Sequence, residues 1–266
     1  IDYIFDSEEV NTIVIATRHD SHYKYVKKAL LKGKNVYVEK PLCLNKIDLH
    51  DLERTLNNTK NKFLKKNLNP PILMVGFNRR FAPLIVDLKK KLSHFTSPKS
   101  FIFTCNAGYL PPNHWINDVN VGGGRLIGEA CHFVDLLRYL VGFPITSIKL
   151  CSGSVGDKNP ENFILNLIFT DGSIGTINYF SNGNKSYQKE RLEVFCNQKV
   201  FQINNFRKSK TWGAKNMKNR FISFQDKGHL NCVKSFLSSI KKGSDSPISE
   251  NEIFEIHSSI LDVIDS

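Results

Sequence analysis

Residues 12–17, Thr-Ile-Val-Ile-Ala-Thr, are a continuous apolar run rich in β-branched side chains. A strand without polar alternation has both faces covered, the pattern of a parallel sheet. Asp20 and Ser21 follow as helix caps. Val26, Ala29 and Leu30 then fall at i, i+3 and i+4, one face of a helix that Gly33 ends. Residues 35–38, Asn-Val-Tyr-Val, are the next strand. Strand, helix and strand in this order form a β-α-β crossover, which commits the front of the chain to a parallel sheet packed against helices.

The spacing predicts a second helix over 46–57, with Ile47, Leu49, Leu52 and Leu56 as its apolar positions, and a polar connection over 60–71. A buried strand over 72–77 and an amphipathic helix carrying Leu84, Ile85, Leu88 and Leu92 follow. The character changes after Pro98. Residues 100–106 read as a strand, 107–124 as a Gly/Pro/Asn-rich loop, and 125–141 as a helix stopped by Gly142 and Pro144. From 146 to 206 strand follows strand, with Asp171-Gly172 as the hairpin turn between 163–170 and 174–180. Helices over 229–241 and 250–264 close the chain.

The expected fold class is therefore α/β. A Rossmann-type parallel sheet over 1–97 precedes an α+β domain over 98–266 with an open, mainly antiparallel sheet. Doubly wound dinucleotide folds carry a G-x-G-x-x-G phosphate loop after their first strand. That motif is absent here, and Gly122-Gly123-Gly124 is a different feature in a different place. The expectation is that the first part of the dinucleotide-binding domain is missing.

Bulk properties narrow the function classes. No stretch approaches the ~20 apolar residues of a membrane helix. The six cysteines form no C-x-x-C pair, which argues against a zinc ribbon and for reduced, mostly buried thiols of the cytoplasm. The net charge of +12 is dispersed; its densest runs, 60–66, 89–91 and 207–220, accompany no nucleic-acid-binding motif and read as solvated surface.

Two stretches carry chemistry. In Val38-Glu39-Lys40-Pro41-Leu42 a lysine stands at the carboxyl end of a parallel strand, where such sheets bind ligands. Pro41 biases Lys40 towards extended backbone, and an ammonium there could stabilise a developing alkoxide. In the second stretch, Glu129 and His132 are three apart and can share a helix face. Asp135, three further on, could orient the His132 ring, which is a plausible general base for alcohol oxidation. An ordinary surface lysine and a partly buried histidine held by a carboxylate are the bland alternatives. Cys131-His132 has no second ligand pair, so no metal is expected.

Residues 12–17 with His22, the Val-Glu-Lys-Pro-Leu at 38–42, the Val-Gly-Phe-Asn-Arg-Arg-Phe-Ala-Pro at 75–83, and the three glycines with His132 and Asp135 together resemble the glucose–fructose oxidoreductase / inositol dehydrogenase (Gfo/Idh/MocA) family. The resemblance runs over essentially the whole chain. The loop Asn-Ala-Gly-Tyr-Leu-Pro-Pro-Asn-His-Trp at 106–115 and Gly-Glu-Ala-Cys-His at 128–132 look like a particular branch. Its members form the second half of bacterial two-domain oxidoreductases, often of surface-polysaccharide pathways.

The resemblance implies NAD or NADP as cofactor and hydride transfer to or from a secondary alcohol of a sugar or nucleotide sugar. It places Ala16, Thr17 and His22 along the cofactor and Glu39 and Pro41 beside Lys40; Arg18 and His19, where the family usually has Thr-Pro at 17–18, either line the cofactor cleft or face solvent. Lys40 would stand at the nicotinamide and the reacting carbon, His132 would be the acid/base, and Arg80 would contact cofactor or substrate. Many members have an Asp where this chain has Gly128, which makes the adjacent Glu129 a candidate replacement. His114 and Trp115 are candidates for sugar contact, with a loop anchor as the alternative for Trp115. The family also implies a homo-oligomer formed through the open sheet, with no nucleic acid or membrane as partner. A catalytically inactive protein of the same fold, kept for interaction, is the second reading. A nucleic-acid-binding domain would rest on net charge alone.

Overall fold

In the computed structural model, which describes residues 2–153, 160–214 and 219–265, the β-α-β pattern becomes a small parallel sheet. A short helix α1 (Asp2–Asp6) leads into β1 (Thr12–Ile15), a 3₁₀ turn (His19–Ser21), α2 (His22–Leu31), β2 (Asn35–Val38), α3 (Lys46–Leu64) and β3 (Leu73–Val75). The strands lie in the order β1-β2-β3, all parallel, with Ile15 opposite Val38 and Val38 opposite Val75. Val36, Val38, Leu73, Met74 and Val75 are fully buried, as are Val26, Ala29 and Leu30 of α2 and Leu52 and Leu56 of α3. Each large apolar side chain taken out of water in this way contributes ~1.5–3 kcal/mol.

Helix α3 begins where Asn45 caps it, accepting a hydrogen bond from the Asp48 N–H at 2.8 Å. It runs to Leu64, seven residues past the predicted end at 57. Residues 58–64 contain neither glycine nor proline; buried Thr59 extends the packed face by one more turn, and the Phe63 ring lies against Gly33. The basic run at 60–66 is thus the exposed end of this helix.

The chain crosses to its second half through a 3₁₀ turn (Asn78–Phe81) and α4 (Pro83–Leu92), which has proline in its first turn. Then come β4 (Ser100–Asn106), a 3₁₀ turn (Trp115–Asn117), a π-helical turn (Leu126–Ala130), α5 (Cys131–Val141), β5 (Ile145–Ser152), β6 (Phe163–Phe169) and β7 (Ile174–Phe180). β8 (Glu190–Cys196), β9 (Lys199–Asn204), β10 (Lys208–Trp212), β11 (Arg220–Phe221), α6 (His229–Lys242) and α7 (Glu250–Asp265) complete it. The predicted helix over 125–141 is therefore two pieces. Residues 154–159 of the expected strand region and 215–218 of the basic run lie outside the described residues.

The eight-stranded sheet has the order β11-β10-β9-β8-β4-β7-β6-β5, and only the central pair β4–β7 is parallel. Its inner face, with Phe101, Phe103, Leu165 and Ile177, is buried. Its outer face leaves Ile102, Ile168, Ile174 and Phe195 exposed. Asp171-Gly172 makes the expected hairpin, with Gly172 at φ 82°. Buried α5 lies between this sheet and the parallel one, which brings its first turn to the carboxyl ends of β1 and β2.

Candidate active site

Lys40 leaves the carboxyl end of β2 through a cis bond to Pro41. Its Nζ donates to the Gly128 carbonyl at 2.6 Å and lies 3.5 Å from Glu129 Oε1, with the side chain 15% exposed. Burial alone would raise the Glu129 pKa; Lys40, helped by Lys189 and Arg79, outweighs that and keeps it below the ordinary carboxylate value. The carboxylate therefore stays charged opposite the ammonium.

His132, in the first turn of α5, is buried, and its Nδ1 has no hydrogen-bond partner among the described residues. Burial, reinforced by the positive charges of Arg79, Lys40, Lys227 and His229, holds its pKa well below that of a free imidazole. The ring is neutral at physiological pH and able to accept a proton. Asp135 does not orient it. That carboxylate is fully buried and bound by both arms of Arg80, Nη2 to Oδ1 at 2.5 Å and Nε to Oδ2 at 3.2 Å. A bidentate guanidinium is the stronger partner for a desolvated carboxylate.

Arg80, expected at cofactor or substrate, is 4% exposed. It also donates to Glu252 of α7 at 2.7 Å and lies over the Tyr139 ring. The structure commits it to α5 and α7 because leaving so deep a guanidinium unpaired would be costly. Arg79, which the sequence reading passed over, is the residue nearer the chemistry. It makes two bonds to Glu190, at 2.8 and 2.9 Å, and sits over Phe133. Lys227 joins Glu190 at 2.5 Å. Burial would raise Glu190; Arg79 and Lys227 hold it down at about 2. The available signal was a glutamate opening an alternating strand at an inward position.

The loop after β1 splits into two kinds of residue. Ala16, Thr17 and Arg18 form an exposed ledge, and Arg18 has no carboxylate partner among the described residues. His22 is fully buried, and its two ring nitrogens face main-chain carbonyls, Nδ1 at Pro41 (2.7 Å) and Nε2 at Thr17 (3.1 Å). It ties the loop after β1 to the loop after β2 and offers no free edge to a ligand. His19 is also buried; its Nδ1 donates to the Gly122 carbonyl at 2.7 Å. Burial, against the opposing effect of that bond, lowers its pKa to about 4.

Trp115 packs edge-on against His19 with ring centroids 4.8 Å apart, and Arg18 lies 5.9 Å from its ring centre. His114 accepts from the Ile116 N–H through Nδ1 at 3.3 Å, capping the turn. The loop over 107–124 is thereby laid against the end of β1. Gly122 has to be glycine there, because a Cβ would stand 2.4 Å from Ile116 Cα. His114 and Trp115 thus adjoin the ledge; Lys40 contacts Gly128 O and Glu129, and its charge reaches the His132 ring.

A dinucleotide fits the carboxyl-end crevice of a parallel sheet. Here small Ala16 leaves the main chain open, the Thr17 hydroxyl is bonded to Ser21 Oγ at 2.6 Å, Arg18 is a cation without a carboxylate among the described residues, and half-buried Glu39 and Lys40 close the inner end.

A family profile described as "Oxidoreductase family, NAD-binding Rossmann fold" matches residues 1–66, and one described as "GFO/IDH/MocA C-terminal domain" matches 96–202. The chain belongs to the Gfo/Idh/MocA oxidoreductase family. Its dinucleotide-binding match begins at residue 1, so the expectation of a missing front part of that domain is not supported. The family is one of NAD-dependent sugar and polyol oxidoreductases, and residues 1–66 match its NAD-binding domain.

Myo-inositol 2-dehydrogenase of Thermotoga maritima is 24% identical over 264 residues, 92% of this chain and 74% of that protein. scyllo-Inositol 2-dehydrogenase (NAD(+)) of Bacillus subtilis is 30% identical over 149 residues, 55% of this chain and 40% of that protein. A solved structure of levoglucosan dehydrogenase in complex with NADH has the same fold, with a TM-score of 0.79 at 16% identity over 99% of this chain and 80% of that one. Among the described residues no helix is long and apolar enough to cross a membrane.

Proposed function

We propose that this protein is a dehydrogenase moving hydride between NAD and a secondary alcohol of a sugar, polyol or nucleotide sugar. The observation that carries the reading is the Lys40 ammonium, fixed at 2.6 Å on Gly128 O beside Glu129, with its charge felt by the neutral ring of His132. Bound NAD supplies the hydride acceptor. His132 takes the hydroxyl proton, and Lys40 donates to the substrate oxygen as negative charge develops on it. Glu129 balances Lys40 and stands in for the acid that many relatives carry at the position of Gly128.

Ala16, Thr17, Arg18, Glu39 and Pro41 line the cofactor, and His114 and Trp115 border the sugar. Residues 1–97 serve as the cofactor domain and 98–266 as the substrate and assembly domain. The exposed Ile102, Ile168, Ile174 and Phe195 support self-association through the outer face of the large sheet. The six unpaired thiols support a reducing compartment, the cytoplasm. The loop over 106–115 supports a place in surface-polysaccharide synthesis.

Calorimetry with NAD(H) and NADP(H), followed by turnover of myo-inositol and of UDP-sugars, tests this. NADH is expected to bind, and Lys40→Ala and His132→Ala are each expected to lower turnover by ~10²–10⁴-fold. No binding of either cofactor would end the dehydrogenase reading. The outer sheet face would then favour an interaction protein of the same fold.

A further inference from the structure

Gly128 is the point at which three parts of the cleft touch. A Cβ placed on it would stand 3.1 Å from His19 Cε1, 3.4 Å from His19 Nδ1 and 3.1 Å from the Gly122 carbonyl oxygen. The imidazole, the Gly122 carbonyl and the Gly128 main chain are thus mutually packed. The imidazole is fixed in this position: Nδ1 donates to Gly122 O at 2.7 Å, and Trp115 stands edge-on at 4.8 Å. Gly128 itself lies within the π-helical turn Leu126–Ala130, and its own carbonyl receives Lys40 Nζ. Wide turns of this kind are locally weaker than an α-helix and depend on their surroundings for shape.

We infer that His19 is a positioning residue for Lys40. Its ring buttresses the Gly128 turn, and the Gly128 carbonyl so placed holds the ammonium. The inference rests on the proposed role of Lys40, and it assigns His19 a task other than lining the cofactor. It also accounts for the glycine at 128: a Cβ there would press on the His19 ring and the Gly122 carbonyl at 3.1 Å, so that ring or turn would have to shift by a few tenths of an ångström. His19 thereby couples the loop after β1, the loop over 107–124 and the ammonium at the end of β2.

The test reads the ammonium directly, without cofactor, in the full chain. Lysine ¹⁵Nζ–¹H NMR is expected to show a few slowly exchanging ammoniums, those of buried Lys99 and of Lys227 on Glu190 among them, and the one that Lys40→Ala removes is assigned to Lys40. His19→Ala is expected to move it into the envelope of exposed lysines. His19→Asn, which retains a donor close to the Nδ1 position, is expected to keep it. Gly128→Ala pushes on the same ring from the other side, and it is expected to displace the signal even if His19→Ala proves too unstable to study.

In single-turnover oxidation of myo-inositol with NAD, His19→Ala and Gly128→Ala are expected to slow hydride transfer by ~10–100-fold. NADH affinity should stay within threefold, and Asn at 19 should restore most of the rate. An unchanged Lys40 signal in both His19→Ala and Gly128→Ala, or no rescue by Asn, overturns the inference. If Lys40→Ala turns over normally, the role of Lys40 falls first. If Lys40→Ala is dead while the His19 variants keep signal and rate, only the positioning role falls.

Discussion

The turn that carries Lys40 is held from behind by His257, and this makes fold stability depend on pH in a calculable way. His257 on α7 is 2% exposed and stacked on Phe77 at 5.5 Å. Its Nδ1 donates to the Ile253 carbonyl at 2.7 Å, which leaves Nε2 as an acceptor for the Leu42 N–H at 2.9 Å. Protonating the ring would abolish that second bond. Burial, partly offset by the Ile253 bond, lowers its pKa from 6.5 to about 4. The folded value lies below the unfolded one, so protons bind preferentially to the unfolded chain. The stabilisation is complete above the unfolded value and is lost as pH falls towards the folded one. The full difference amounts to ~3 kcal/mol, of which ~2 kcal/mol is gone by pH 5.

His257→Gln can still offer an oxygen to Leu42 but does not titrate. Urea unfolding at pH 7.5 is expected to find the variant weaker by ~1–3 kcal/mol. By pH 5 that deficit should shrink by about 2 kcal/mol, so the two curves nearly meet. A deficit constant from pH 7.5 to pH 5 would refute the argument, because His257 would then carry the same proton count folded and unfolded.

Three further outcomes follow from the geometry. Glu190→Gln leaves Arg79 and Lys227 facing a neutral amide and should cost ~3–5 kcal/mol in urea unfolding. Because the Glu190 pKa is depressed from 4.5 to about 2, the wild type should also lose stability as pH falls from 4.5 towards 2, and the variant should lack that limb in acid titration followed by circular dichroism. Asp135→Asn removes the buried one of the two carboxylates that hold Arg80, leaving Glu252, and should lower stability by ~2–4 kcal/mol while NADH affinity stays within threefold, measured by fluorescence titration. Gly122→Ala places a methyl carbon 2.4–2.5 Å from the main chain at 115 and 116, and limited proteolysis should then cut within 107–124 faster than in the wild type.

Local patterns were readable from the sequence and distant pairings were not. The β-α-β unit and the Asp171-Gly172 hairpin follow from periodicity and turn chemistry within a few residues. Lys40 stood out because a lysine before proline ends a buried strand. The overrun of α3 was hidden because a mostly polar stretch without glycine or proline is compatible with either helix or loop, and packing of Thr59 and Phe63 decides. The π-helical turn has no local signature at all. Asp135 lies three residues from His132 but pairs with Arg80, 55 positions earlier, and Arg79 finds Glu190 at a separation of 111. No spacing rule reaches across such distances. The carboxylate was assigned to its nearest neighbour in sequence when the decisive neighbour was nearest in space.

Arg79 and Arg80 are adjacent in one 3₁₀ turn between the two sheets, and each grips the second half of the chain, one through β8 and the other through α5 and α7. A joint clamped by two neighbouring guanidiniums cannot serve as a hinge. To open it, both buried cations would have to lose their carboxylates at once. The two halves should therefore unfold in a single cooperative transition, and their most protected amides should exchange at one common rate.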